Sequence, residues 1–152
     1  MDAASVPPAA RWLGFAGLIP FLALSLSGGL GPDVWREDAK AYLLGYAIAI
    51  LSFMGGAHWG LAVAWSERRV SSAANIAFAV SVLPALAGWL ALFLPAPVQL
   101  IWLAACFSAL LAYDMTFARK AGAPKWYAKL RLPLTVVVVG CLLFATVTGF
   151  PP

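Results

Sequence analysis

Tyr42-Leu43-Leu44-Gly45-Tyr46-Ala47-Ile48-Ala49-Ile50-Leu51-Ser52-Phe53-Met54-Gly55-Gly56-Ala57-His58-Trp59-Gly60-Leu61-Ala62 is long and apolar enough to cross a bilayer, yet it holds the only histidine of the chain. Ser52, Gly56, Gly60 and Ala64 recur every four residues and so line one stripe of a helix. In a membrane such a stripe lets a second backbone come close, and van der Waals packing replaces the missing hydrophobic drive. His58 lies roughly 160° away from that stripe at about 100° per residue. An ionisable group inside a membrane is costly, so it belongs against protein or a wet cavity. The stretch therefore predicts a packed membrane helix with one polar spot.

The rest of the chain agrees. Of 152 residues, 63% are hydrophobic and 11% charged, with a mean hydropathy of +0.89, well outside the soluble class. Ten Lys and Arg against six acids give a net charge of +4. On a membrane protein this points to the positive-inside bias and anionic headgroups before nucleic acid. No basic run interleaved with aromatics suggests a DNA or RNA surface. Cys106 and Cys141 both lie in apolar runs and read as small packing residues, not as a disulfide or zinc site.

Apolar runs over about 12–31, 39–65, 72–94, 98–118 and 132–150 predict an all-α integral membrane bundle of five transmembrane helices, since ~20 helical residues cover the ~30 Å hydrocarbon core. They form one domain, 12–150, behind a short tail, 1–11. A cleaved signal peptide is the alternative for the first run, but its flank is hardly basic and the run is long. Pro20, Pro84 and Gly88 interrupt two of the runs, and Asp38 is the expected N-cap of the second. Five crossings put Arg11, Arg68, Arg69, Arg119, Lys120, Lys125, Lys129 and Arg131 on one side, with only Arg36 and Lys40 opposite. The expected orientation is N-terminus cytoplasmic and C-terminus periplasmic.

Few residues can carry chemistry. His58 lies roughly 10 Å below the cytoplasmic interface and Asp114 about 6 Å below it, at 1.5 Å per residue. The two form a candidate polar site, a carboxylate orienting an imidazole. The plainer alternative gives Asp114 to water or Arg119 and His58 to a backbone carbonyl. Haem at His58 would need a second ligand from Met54 or Met115, and further metal ligands are missing. No nucleophile–base spacing, phosphate loop or paired carboxylate suggests an enzyme. Residues 119–131 read as an interfacial segment in which Lys125, Trp126, Tyr127, Lys129 and Arg131 meet headgroups, with Pro133 in the first turn of the last crossing.

Several stretches together resemble one family: Trp12, Gly14-Phe15 and Leu18-Ile19-Pro20-Phe21; Ile50 to Gly60; Val82-Leu83-Pro84-Ala85-Leu86-Ala87-Gly88-Trp89; Tyr113-Asp114; and Trp126-Tyr127 with Leu130-Arg131-Leu132-Pro133-Leu134-Thr135. They are similar to the transmembrane-protein-69-like proteins over about 12–148, and Gly-Gly-x-His-Trp-Gly is the specific core. The resemblance implies a small multi-span protein of bacterial inner membranes and mitochondria, a domain of unknown function with no catalytic residues to carry over. The lack of an Arg/Ser-rich presequence favours the bacterial inner membrane. The functional expectation is a non-catalytic accessory or assembly protein that packs against a larger inner-membrane complex or itself. The alternative is a small-solute or proton-handling protein using His58 and Asp114.

Overall fold

Pro20 has no N–H to give to the carbonyl of Ala16, and this shapes the first crossing. In the computed structural model, which describes residues 6–66, 72–121 and 125–148, helix α1 (Pro8–Ala16) ends at Gly17 and α2 (Leu18–Leu30) restarts at once, with Pro20 in its first turn. The deprived carbonyl is that of Ala16; the next one along, that of Gly17, accepts from another helix, since the Tyr46 hydroxyl donates to it at 3.0 Å. The expected single run is therefore two helices.

Four longer helices follow: α3 (Asp33–Ser66), α4 (Ser72–Leu90, closed by a 3-10 turn at Ala91–Phe93), α5 (Ala96–Ala121) and α6 (Lys125–Thr148). Among the described residues, five segments, Pro8–Leu30, Asp33–Ala64, Asn75–Phe93, Ala96–Thr116 and Trp126–Thr148, are long and apolar enough to span a membrane. The fold is an all-α transmembrane bundle. Asp38 is not the cap of α3. The helix starts five residues earlier, on the turn in which the Trp35 N–H donates to the Pro32 carbonyl at 2.9 Å. Its 34 residues reach about 51 Å, so its charged first turns extend beyond the hydrocarbon.

The larger difference is at the end of the chain. Residues 125–131 are not a separate interfacial helix; they are the first two turns of α6, which passes straight through Pro133. Proline lets the helix continue here because its fixed φ is helical, and the carbonyl it deprives, that of Lys129, belongs to an exposed residue.

The core lies between α2, α3, α5 and α6. Phe21 stands edge-on to Tyr46 and Phe107, with ring centroids 5.0 and 6.1 Å apart, and Leu43, Leu51, Leu103 and Leu142 are fully buried around them. α4 packs mainly on α3, and α5 mainly on α6. The α3–α4 approach is close because of Gly55: a methyl there would lie 2.5 Å from the Ser81 carbonyl oxygen. Between α4 and α5 an apolar cleft of about 210 Å³ remains, lined by Leu83, Pro84, Cys106, Leu110 and Tyr113 among others. Phe53, Leu86, Val136 and Val147 point outward, as lipid-facing side chains do.

Candidate functional site

Three helices bring one ionisable side chain each to the end of the bundle where α3 leaves for α4 and α5 leaves for α6. His58 is on α3, Asp114 on α5 and Arg131 on α6, and all three are buried. His58 Nε2 lies 2.6 Å from Asp114 Oδ1, and Arg131 Nε donates to Asp114 Oδ2, also at 2.6 Å. The two residues singled out by depth in the sequence thus meet. Asp114, 1% exposed, bridges the two nitrogen bases.

Local structure explains the aim of each side chain. His58 Nδ1 sits 2.8 Å from the Met54 carbonyl one turn back on its own helix, which fixes the imidazole plane and turns Nε2 toward α5. The Tyr113 ring packs on the imidazole, centroids 5.4 Å apart. Arg131 Nη1 donates to Met54 Sδ at 2.8 Å, so a single turn of α3 holds both the histidine and the guanidinium. Tyr127, one turn before Arg131, lies close enough to feel the Asp114 carboxylate. Removing one member of such a buried pair leaves a charge unmatched, at a cost of about 3–5 kcal/mol.

The proton inventory follows from donor and acceptor types. A carbonyl only accepts, so Nδ1 carries a hydrogen. Nε2 and a carboxylate oxygen can be 2.6 Å apart in a bond only with a proton between them. With Arg131 always charged, the cluster carries a net +1 whichever of His58 and Asp114 holds that proton. Both ring nitrogens are engaged within the chain, so a bond from His58 to haem iron would cost one of these contacts. Among the described residues no three His, Cys, Asp or Glu side chains are grouped as metal ligands.

Other expected residues go elsewhere. Gly56, Gly60 and Ala64 are exposed and Ser52 half-buried, and a Cβ at Gly56 or Gly60 would meet nothing within 4 Å. The small stripe is therefore not a seam inside the chain; Gly55, one position along, is. Trp126 and Tyr127 are half-buried with ring centroids 6.1 Å apart and Lys129 is exposed, while the side chain of Lys125 lies outside the described residues. Arg131 leaves the interfacial set altogether and joins the site. Its sequence signal was its place between Leu130 and Leu132, with Thr135 one turn on, inside an apolar run.

The chain matches, over residues 6–147, the profile of a family described as protein of unknown function (DUF3429). It is similar to transmembrane protein 69 of Xenopus tropicalis, with 33% identity over 137 residues, 90% of this chain and 53% of that protein. The chain thus spans about half the length of that curated relative. No solved structure matches it. With a family match across nearly its whole length and a five-crossing helical bundle, this chain belongs to the DUF3429 family, the transmembrane-protein-69-like membrane proteins of unknown function.

Proposed function

We propose that this protein is a proton-handling membrane protein whose activity turns on one exchangeable proton held between His58 and Asp114. A single observation carries the reading. The imidazole faces two acceptors, the Met54 carbonyl at 2.8 Å and the Asp114 carboxylate at 2.6 Å, so the network is intact only with that proton bound. Its loss turns an attraction into a contact between two lone pairs, which gives the α3–α5 contact two states. Arg131 keeps Asp114 anchored in both. The test is reconstitution into vesicles with an internal pH-sensitive dye. His58→Gln and Asp114→Asn, recovered folded, are expected to lose the proton movement of the parent protein. Folded variants with unchanged proton movement would sink the reading and leave the cluster as a structural tie.

A second reading has its own observation. The stripe at Gly56 and Gly60 has open space above it, which suits the close approach of a helix from another protein. On this reading the protein is an accessory or assembly factor against a larger complex of the bacterial inner membrane, with its N-terminus in the cytoplasm. Purification from native membranes in mild detergent tests it: stoichiometric large subunits are expected, and Gly56→Leu should release them. A protein that purifies alone at every detergent strength would count against it.

A further inference from the structure

The cleft between α4 and α5 has its cause on the other side of α4. A methyl at Gly55 would lie 2.5 Å from the Ser81 carbonyl oxygen, and one at Gly88 would lie 3.1 Å from Ile48 Cγ2. Both glycines let α4 sink onto α3, while α5 packs mainly on α6. The two helix pairs part, and a space of about 210 Å³ is left between them. Its floor is Leu51 of α3, which is fully buried, and no charged residue lines it. The small side chains of Ala87, Cys106 and Ala109 leave the room. Leu83 and Ala109 are exposed at its lips, so the cleft opens sideways into the lipid. Depth says what lies there. The apolar span of α5 ends at Thr116. Tyr113 is about 4.5 Å below that end and Cys106 about 15 Å, at 1.5 Å per residue. On α4, whose apolar span starts at Asn75, Val80 lies about 7.5 Å in and Ala87 about 18 Å. The hydrocarbon core is ~30 Å thick, so the cleft runs from just under one surface to about the midplane. There it is closed, since Trp102 Nε1 donates to the Ala87 carbonyl at 2.9 Å and ties α5 to α4.

We infer that this cleft seats one acyl chain of a phospholipid, drawn from the leaflet on the side of the α3–α4 and α5–α6 connections. Such a chain starts at its own headgroup level, passes Tyr113 and ends near the Trp102 closure, which is the course and the depth that the cleft offers. An apolar cavity of about 150 Å³ already takes a benzene ring, so several methylenes have room here. Left empty, the space would forfeit the van der Waals contacts of its lining, and water does not fill it, because apolar cavities stay dry. A helix from another chain, ~10 Å across, needs several times this volume over the same length. The seat goes beyond the proton-handling reading and stands without it. Tyr113 is common to both, since its ring lines the cleft and packs on the His58 imidazole.

The experiment is photocrosslinking of the full chain in vesicles of dioleoylphosphatidylcholine, doped with the same lipid carrying a diazirine at mid-chain, with adducts mapped by peptide mass spectrometry. Adducts should be several-fold denser on Leu83, Cys106 and Ala109 than on the lipid-facing Phe53 and Val136, which lie at similar depth on other helices. Ala109→Phe fills the cleft from an exposed position and should lose that excess. Cys106→Leu fills the same space from its inner wall and should act alike, so the test does not hang on the folding of one variant. Ala79→Phe, the same kind of change at an exposed position of α4 outside the cleft, should keep the excess. Uniform labelling of all lipid-facing positions would overturn the seat. So would an excess that survives in folded Ala109→Phe and Cys106→Leu, because the chain would then lie on the surface and not in the cleft.

Discussion

At the scale of the residue, Asp114 is the member on which the others depend. It accepts from Arg131 and shares a proton with His58, so Asp114→Asn leaves a buried guanidinium facing a neutral amide. We expect that variant to lose about 3–5 kcal/mol of stability, more than His58→Gln, because only Asp114 offsets a permanent charge. The pair should couple. The double variant is expected to cost less than the sum of the singles by about 0.5–3 kcal/mol, read from chemical unfolding of all four proteins in detergent. Strict additivity would mean that the 2.6 Å contact carries no energy of its own. Arg131→Lys should not rescue function, since a point ammonium cannot donate to Asp114 and reach Met54 at the same time. His58 and Asp114 were legible in the sequence because each is a lone ionisable residue in an apolar run, and helical rise alone sets their depth. Arg131 was hidden by its neighbours. Two lysines, two aromatic rings and a proline beside it read as a membrane surface followed by a helix start, and only the passage of α6 through Pro133 carries Arg131 inward.

At the scale of the element, glycine placement separates packing from exposure. The repeat Ser52, Gly56, Gly60, Ala64 was plain in the sequence, but periodicity gives a face and not what covers it. The neighbouring Gly55, about 100° round the helix, is the one pressed against a backbone carbonyl of α4. Gly55→Ala is therefore expected to destabilise the isolated protein by about 1–3 kcal/mol, the usual cost of forcing extra volume into a filled contact. Gly56→Leu should change it by no more than about 0.5 kcal/mol, as for other uncovered positions. Thermal unfolding in detergent checks both. Equal losses at the two positions would show that α3 turns a different face to α4. The same logic separates the two cysteines. Cys106 is half-buried beside the α4–α5 cleft and Cys141 is buried, so a membrane-soluble maleimide should label the first well ahead of the second. The five crossings themselves were readable from length and hydropathy. The break at Gly17 was not, because it depends on the single backbone bond that Pro20 removes from the Ala16 carbonyl and on the Tyr46 hydroxyl, 29 residues away from Gly17, donating to the Gly17 carbonyl.

At the scale of the whole molecule, the side of the membrane that the cluster faces decides, on the proton-handling reading, which compartment supplies its proton. An odd number of crossings puts the two ends of the chain on opposite sides. The N-terminal end then shares its side with the α3–α4 and α5–α6 connections. Eight of the ten Lys and Arg fall on that side and only Arg36 and Lys40 on the other, and short basic segments resist translocation. His58 and Asp114 lie near that basic end, His58 eight residues before the end of α3 at Ser66, or about 12 Å along the helix. The orientation expected on this balance puts the cluster within reach of cytoplasmic water and far from the outer leaflet. A reporter that works only in the periplasm, fused after Pro152, should be active, and the same reporter inserted at Gly122 should be silent. A reporter that works only in the cytoplasm should give the reverse pattern. Activity of one reporter at both positions would mean that α6 does not cross. Periplasmic activity at Gly122 with silence at Pro152 would keep the five crossings and invert the molecule, moving the cluster to the outer face and reversing the side from which its proton comes.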